Sequence, residues 1–239
     1  MAHTDRTFDP NTSTQKRHSS FLQGYFGGTS RNVGAGSLYM RYGKRALDIA
    51  LVTISLPVLI PVTLLIAGLV ACDGGSPIFG HSRIGRNGNA FRCWKLRSMV
   101  VEAEEKLRDH LANDPAARRE WEAGFKLKQD PRITRIGKVL RRLSLDELPQ
   151  LWNVLLGEMS LVGPRPVTEV ELDRYGENLP IYLRQTPGLT GKWQVYGRNA
   201  VSYESRIKMD AQYAEECSVL TDIRLIAATV LVVLRKTGM

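Results

Sequence analysis

The segment Arg141–Pro166, RRLSLDELPQLWNVLLGEMSLVGPRP, decides how the chain is organised. It places two adjacent carboxylates, Asp146 and Glu147, after a pair of arginines, and it ends with Arg165 held between two prolines. Neighbouring carboxylates can hold Mg²⁺ together with substrate phosphates, and arginines bind phosphate oxygens through two parallel hydrogen bonds. The segment therefore predicts a phosphate and metal site, with both carboxylates as metal ligands and with Arg141 and Arg165 on the phosphate.

The same segment also fits a purely structural explanation. Ser144 and Glu147 have the spacing of a capping box, and the apolar run that follows ends at Gly157, which is typical of a helix stop. This pattern predicts a helix that begins just after Ser144. It does not explain Asp146, although the helix dipole favours an acid in the first turn. In the functional alternative, one carboxylate attacks phosphorus and carries a covalent intermediate.

The chain has 239 residues, of which 43% are hydrophobic. This length and composition predict one sizeable domain, or one domain with an anchor. The net charge of +9 indicates an anionic partner: a nucleic acid, a membrane surface or a phosphorylated substrate. The three cysteines are far apart and no CxxC occurs, so we expect no disulfide framework. The four histidines are also well separated, which argues against a zinc site.

The apolar segment at residues 46–71 is long enough to cross a bilayer as a helix, which takes about 20 residues. Pro57 and Pro61 lie near its middle and predict a sharp bend. Basic residues flank the segment on both sides, and positively charged flanks stay in the cytoplasm. We therefore expect a re-entrant helix with both ends on the cytoplasmic side. A single crossing and a buried soluble helix are the alternatives.

The other segments predict short elements around the central stretch. Residues 91–99 alternate in character, which predicts a short strand. The basic residues of the longer stretch 81–99, Arg83 among them, are expected to contact lipid headgroups or substrate phosphates. Residues 100–128 predict two charged helices divided by Pro115. The run Leu225–Leu234 is too short to span a bilayer and predicts a core or interfacial helix.

The predicted architecture is α/β with mostly helical content. A membrane-embedded re-entrant helix and amphipathic interfacial helices surround a small cytoplasmic catalytic domain. The polar, low-complexity composition of residues 1–38 predicts a disordered arm. The membrane helix–break–helix would occupy residues 39–72, and the catalytic domain residues 73–239.

Several motifs resemble those of the bacterial sugar transferases, also called monotopic phosphoglycosyl transferases. The resemblance covers residues 41–236. The matching motifs are Lys44-Arg45-x-x-Asp48, Pro61, Arg83-x-Gly85, Phe91-x-x-x-Lys95-x-Arg97-Ser98-Met99, residues 143–154 (LSLDELPQLWNV), residues 160–166 (SLVGPRP), residues 187–191 (PGLTG) and Trp193-Gln194-Val195-x-Gly197-Arg198.

The resemblance implies a Mg²⁺-dependent enzyme at the cytoplasmic face of the bacterial inner membrane. In this family, sugar-1-phosphate passes from a UDP-sugar to an aspartate, UMP is released, and the sugar-1-phosphate then passes to undecaprenyl phosphate. Asp146 would be the nucleophile and Glu147 its metal-binding or supporting partner. The implied phosphate or nucleotide contacts are Arg141, Arg165 and Arg198, with Lys95 and Arg97 as further candidates.

The chain departs from the family pattern in two places. Ile60 stands before the bend proline, where many members have serine, and Lys192 replaces an apolar residue. The Trp193-Gln194-Val195 form resembles hexose-1-phosphate (galactose or glucose) transferases of exopolysaccharide synthesis more than acetamido-sugar enzymes. The expected partners are UDP-hexose, undecaprenyl phosphate and inner-membrane lipids, without nucleic acid and with homo-oligomerisation left open. An acetamido-sugar transferase and a non-catalytic basic membrane adaptor are the alternatives.

Overall fold

A computed structural model describes residues 38–124, 127, 129–197 and 201–234. The predicted disordered arm, residues 1–38, therefore lies outside the described residues except for its last position, and Arg198 also lies outside them. The helices are α1 (Lys44–Ala71), α2 (Ala103–Asn113), α3 (Pro115–Gly124), α4 (Arg135–Arg142), α5 (Gln150–Leu156), α6 (Leu179–Arg184), α7 (Lys192–Tyr196), α8 (Tyr203–Glu216) and α9 (Val219–Leu234). A π-helical turn occupies Tyr39–Gly43, and 3₁₀ segments occupy Arg86–Gly88, Leu145–Glu147 and Glu169–Asn178.

Two small sheets accompany the helices. Strands β1 (Ile78–Ile84) and β2 (Ala90–Leu96) form an antiparallel hairpin, and strands β3 (Ser160–Val162) and β4 (Gly188–Thr190) pair in parallel. The prediction of an α/β fold with mostly helical content is confirmed. The predicted strand in residues 91–99 corresponds to β2, and the two predicted charged helices correspond to α2 and α3, which Pro115 separates.

Helix α1 runs without interruption from Lys44 to Ala71 and includes both Pro57 and Pro61. The predicted helix–break–helix is therefore not seen. Each proline removes one backbone hydrogen-bond donor, but the helix continues through both of them. Hydroxyl groups bond to carbonyls on either side of the prolines: Ser55 Oγ donates to Val52 O at 2.8 Å, and Thr63 Oγ1 donates to Leu59 O at 2.7 Å. Such local bonds help a helix to accommodate prolines.

One face of α1 packs on the rest of the chain. Its first half contributes Val52 to a cluster with Phe91, Cys93 and residues of α5, and its second half contributes Ile66 and Val70 to a cluster with Leu96 and Leu140. The other faces are open, and only 11% of the most apolar 18-residue stretch of the helix is buried inside the protein. The exposed apolar side chains of α1 include Ile54, Val58, Ile60, Val62, Leu64, Leu65 and Leu69. The helix is long and apolar enough to be embedded in a membrane.

Polar contacts attach both ends of α1 to the folded body. At the start, Lys44 Nζ lies 2.6 Å from Asp222 Oδ2 in α9, and Arg45 donates to the carbonyls of Val154 and Leu155 at the end of α5. Near the other end, Arg97 donates to Val70 O at 3.0 Å. Lys44 and Arg45, two of the basic residues that precede the apolar segment, are therefore bonded within the protein.

Further apolar side chains lie exposed on the helices beside α1. Helix α4 buries Leu140 but exposes Ile136 and Val139. Helix α9 begins at Val219, earlier than the predicted Leu225, and buries Leu225. The exposed apolar residues of α5 and α9 are Trp152, Leu156, Val219, Leu220, Ile223, Val230 and Leu231. Amphipathic helices of this kind are typical of a membrane interface.

Candidate active site

The turn that carries the carboxylate pair follows directly from the end of α4. Ser144 adopts the left-handed conformation (φ 54°), and its backbone N–H donates to Arg141 O at 3.2 Å, so it closes α4. Leu145–Glu147 then form a single 3₁₀ turn, and α5 begins only at Gln150. The predicted capping box at Ser144 and Glu147 was wrong, because an N-cap needs an extended backbone that Ser144 does not have.

Lys95 of β2 faces both carboxylates. Its Nζ lies 2.7 Å from Glu147 Oε1 and 3.9 Å from Asp146 Oδ2. Asp146 is only 9% exposed, and Gln150 donates a further hydrogen bond to Glu147. One ammonium group therefore holds the two acids at the same place.

The two carboxylates have opposite pKa shifts. Burial raises the pKa of Asp146 above its ordinary value, and the charges of Lys95 and Arg141 only partly offset this effect. Burial also acts to raise the pKa of Glu147, but the charges of Lys95 and Arg165 outweigh it and hold that pKa below its ordinary value. Glu147 is thus a stable anion, whereas Asp146 is a poorly solvated and more basic carboxylate, as suits a nucleophile.

Asn153 fixes the position of β2 against α5. It is completely buried; its Nδ2 donates to Arg92 O at 2.7 Å and to Glu158 Oε2 at 2.6 Å, and its Oδ1 accepts from Trp94 N at 3.1 Å. The strand bonded in this way carries Lys95, and the helix follows the carboxylate pair. Asn153 therefore sets the distance between Lys95 and the acids.

A small cleft opens beside Glu147. Three cations, Arg83, Lys95 and Arg165, line it together with Glu147 as the one carboxylate. The other lining residues are Cys93, Gln150, Pro166, Gly188, Leu189 and Gln194. The cleft therefore carries an excess of positive charge, which suits a phosphorylated ligand.

Parallel pairing of β3 and β4 brings the Gly-Pro-Arg-Pro turn into the cleft. Gly163 N donates to Thr190 O at 2.9 Å, and Gly188 N donates to Pro164 O at 2.8 Å. A Cβ on Gly163 would lie only 2.4 Å from Thr186 O, so the two backbones approach closely only because this residue is glycine. Arg165, which follows, lies with its guanidinium 5.7 Å from the ring centroid of Trp193.

Not every predicted phosphate ligand lies at the cleft. Lys95 and Arg165 line it, and Arg141 is close enough to influence the pKa of Asp146 while its Nε donates to Ser98 Oγ at 2.8 Å. Arg97 instead binds Asp73 and donates to four backbone carbonyls, those of Val70, Gly75, Ser76 and Met99. Its contacts join the end of α1 to the hairpin.

Two glutamines of the cleft, Gln150 and Gln194, were missed as site residues from the sequence, and Arg83 was expected only as one of several basic residues that could contact phosphate. All three stand inside the motifs that carry the family resemblance, and that was the available signal. Gln194 Nε2 donates to Leu189 O at 3.0 Å, but its buried Oε1 has no hydrogen-bond partner among the described residues. An acceptor of this kind suits a hydroxyl or N–H donor of a ligand.

The described residues contain no group of three or more histidine, cysteine, aspartate or glutamate side chains that could hold a metal ion. Asp146 and Glu147 are the two carboxylates that Lys95 contacts, and Glu147 lines the cleft. This donor set fits Mg²⁺, which commonly binds through one or two carboxylates and completes its shell with water and substrate phosphates. It does not fit a metal held entirely by protein ligands.

Comparisons with known proteins are consistent with this geometry. The family model described as bacterial sugar transferase matches residues 39–236. A UDP-galactose-lipid carrier transferase of Erwinia amylovora is 51% identical over 198 residues, which are 83% of this chain and 42% of that protein. The undecaprenyl-phosphate galactose phosphotransferase of Salmonella typhimurium is 49% identical over 198 residues, again 83% and 42%.

A shorter relative matches along most of its length. The exopolysaccharide production protein ExoY of Rhizobium meliloti is 48% identical over 188 residues, which are 78% of this chain and 83% of that protein. The chain thus spans less than half the length of the Erwinia and Salmonella relatives and most of the length of the Rhizobium one.

Proposed function

Because the chain belongs to the bacterial sugar transferase family, we propose that it transfers hexose-1-phosphate from a UDP-sugar to undecaprenyl phosphate through a covalent intermediate on Asp146. The observation that carries the proposal is the position of Lys95, which contacts both acids at the edge of a cleft lined by two arginines. A buried carboxylate, a charged neighbour and guanidinium groups are the parts that phosphoryl transfer to an aspartate requires.

The proposed reaction has two displacements at one phosphorus atom. A carboxylate oxygen of Asp146 attacks the phosphorus that carries the sugar; a P–O bond to Asp146 forms, and the bond to the leaving oxygen of UMP breaks with its electron pair. A phosphate oxygen of undecaprenyl phosphate then attacks the same phosphorus, and the bond to Asp146 breaks. The carboxylate is regenerated, and no net proton transfer is needed.

The surrounding charges favour both displacements. In this proposal Lys95 and Arg165 stabilise the negative charge that accumulates on the phosphate oxygens. Both are held in place before the reaction, Lys95 by the two acids and Arg165 against Trp193. Glu147 orients Lys95 through its 2.7 Å contact. In this proposal Asp146 and Glu147 also hold Mg²⁺, which neutralises charge on the substrate phosphates when it is bound.

The packing of α1 supports a placement with both ends on one side of the membrane rather than a crossing. The helix is about 42 Å long at 1.5 Å per residue, yet each of its halves shares an apolar cluster with residues of strand β2. Seven residues of strand extend only about 23 Å, whereas a bilayer core is about 30 Å thick. We therefore propose that both ends of α1 lie on the cytoplasmic side of the inner membrane, with α4, α5 and α9 at its surface.

Galactose is the first sugar to test. The relatives named for galactose transfer in Erwinia and Salmonella are 51% and 49% identical to the chain. A relative in Aeromonas hydrophila named for N-acetylgalactosamine phosphate is 34% identical, and one in Escherichia coli named for glucose-1-phosphate is 36% identical. This order favours a hexose without an acetamido group and, among hexoses, galactose.

The test is UMP release by the purified full chain with Mg²⁺, undecaprenyl phosphate and, in separate reactions, UDP-galactose, UDP-glucose and UDP-N-acetylgalactosamine. We expect release with UDP-galactose above the other two donors, and none after chelation of Mg²⁺. Absence of release with every donor, in protein that is folded and inserted in lipid, would contradict the proposed function. A membrane adaptor would give that result.

A further inference from the structure

Arg83 lines the cleft, and the carboxylates of the described residues neutralise its positive charge only weakly. Its side chain is 19% exposed, and among the described residues its one contact with a carboxylate runs from Nη1 to Glu171 Oε2 at 3.3 Å. Charge-assisted hydrogen bonds of arginine are usually about 2.7–2.9 Å long and often paired. By comparison, Arg132 binds Asp130 through two nitrogens, at 2.8 Å and 2.6 Å.

Glu171 is already engaged elsewhere. Its Oε2, the same atom that faces Arg83, accepts from Thr168 N at 2.8 Å and from Thr168 Oγ1 at 2.7 Å as part of a capping box. The lone pairs of that oxygen are thus largely used before Arg83 reaches it. Glu171 holds Arg83 in position without neutralising it fully.

A backbone bridge places Arg83 beside Arg165. Ile84 N donates to Val167 O at 2.9 Å, and Ile84 O accepts from the Tyr182 hydroxyl at 2.7 Å. This bridge joins the end of β1 to the residues just after Arg165, so both guanidinium groups line the same cleft. Burial and the charge of Arg165 lower the pKa of Arg83, as expected for two neighbouring cations without enough anion between them.

The positions of the charges divide the cleft. Lys95 contacts Asp146 and Glu147, whereas Arg83 contacts Glu171. In the hairpin Arg83 pairs with Phe91, and Lys95 lies four residues further along β2, about 13 Å away at about 3.3 Å per residue. Arg83 therefore lies at the side of the cleft away from the nucleophile. A phosphate bound there would be the one that stays with the nucleoside rather than the one that is transferred.

We propose that Arg83 and Arg165 together bind the phosphate of the nucleoside monophosphate that leaves in the first displacement. This inference rests on the proposed function and adds a residue, Arg83, to its nucleotide-binding site. The phosphate of the nucleotide then supplies negative charge between the two guanidinium groups. Glu171 is the positioning residue that orients Arg83 toward the cleft.

The test compares Arg83→Gln with Glu171→Gln, because both substitutions break the same ion pair but only the first removes a cation. UMP affinity is measured at equilibrium on the full chain in lipid nanodiscs, and thermal unfolding is followed in the same samples. We expect Arg83→Gln to weaken UMP binding at least tenfold and Glu171→Gln to change it less than threefold. Arg86→Gln, an exposed position on the same hairpin, is the matched control and should leave UMP binding unchanged.

Two results would overturn the inference. If Arg83→Gln leaves UMP affinity within threefold of wild type, Arg83 serves only the fold. If Arg83→Gln and Glu171→Gln weaken UMP binding equally, the ion pair itself is what matters and not the guanidinium. Because UMP binding needs no turnover, a chain that binds UMP through Arg83 yet transfers no sugar would contradict the proposed function and leave this inference standing.

Discussion

Lys95 Nζ lies 2.7 Å from Glu147 Oε1 in the cleft. The pair joins strand β2 to the turn before α5, two parts of the chain that are 52 residues apart. The same ammonium lies 3.9 Å from Asp146 Oδ2. Its charge lowers the pKa of both acids and opposes the effect of their burial.

Replacing Lys95 by methionine should change the pH dependence of the reaction. Without the ammonium, the pKa values of Asp146 and Glu147 both rise, so the acidic limb of the pH–rate profile for UMP release should move to higher pH. The rate at its optimum should fall by a factor of about 10²–10³, as for the loss of one preorganised charge. Lys95→Arg, which keeps the charge, should leave the acidic limb near its wild-type position. An unshifted limb in Lys95→Met would show that Lys95 does not control these acids.

Asn153→Leu should destabilise the chain and loosen the site. The substitution removes the part-buried hydrogen bonds of Asn153 to the carbonyl of Arg92 and the N–H of Trp94, which should cost about 2–4 kcal/mol of folding free energy. Thermal unfolding in detergent measures this effect. Asn113→Ala, which removes one local bond to Asp109 O on an exposed helix, is the control and should change stability by less than about 0.5 kcal/mol. Equal stability of Asn153→Leu and wild type would disprove the role assigned to this amide.

Asp210 should make stability depend on pH. Burial raises its pKa to about 7, and the Tyr175 hydroxyl contacts it at 3.1 Å. Well below pH 3.8 the group is protonated in both folded and unfolded chains; as pH rises from there toward 7, only the unfolded chain ionises, so folding loses stability. Asp210→Asn removes this loss and should raise the melting temperature at pH 8 by several degrees, with a clearly smaller rise at pH 4.5. A melting temperature raised equally at both pH values would contradict the buried acid as the cause.

The placement of α1 can be tested with a cysteine that the chain already has. Cys72 is exposed just after the helix, and Arg41→Cys adds a second site just before it. In intact cells, a membrane-impermeant maleimide should label neither site, and after the inner membrane is permeabilised it should label both. A Cys72→Ser background gives the matched control for Arg41→Cys. Labelling of one site in cells with only the outer membrane opened would mean that α1 spans the bilayer.

Much of the site could be predicted from the central segment alone. Asp146, Glu147 and Arg165 stand within 20 residues of one another, and their chemistry points to phosphate and metal whatever the fold. The mostly helical α/β class also follows from local patterns. The role of Ser144 could not be predicted, because its left-handed backbone depends on how the preceding helix ends.

Tertiary contacts determine which basic residues reach the cleft, and local sequence patterns do not show those contacts. Lys95 and Arg97 are two residues apart and look equivalent in the motif, but Arg97 lies beyond the last residue of β2 and binds Asp73. Arg83 reaches the cleft because of the bridge between Ile84 and Val167, which joins segments 83 residues apart. No local pattern encodes either arrangement.

The most direct test of the central claim is mass spectrometry of the chain after incubation with Mg²⁺ and UDP-galactose, without undecaprenyl phosphate. We expect release of UMP and a hexose-phosphate adduct on the peptide that contains Asp146. The adduct should be absent in Asp146→Asn, and it should disappear from the wild-type chain when undecaprenyl phosphate is added. An adduct on another residue, or full sugar transfer by Asp146→Asn, would contradict the central claim.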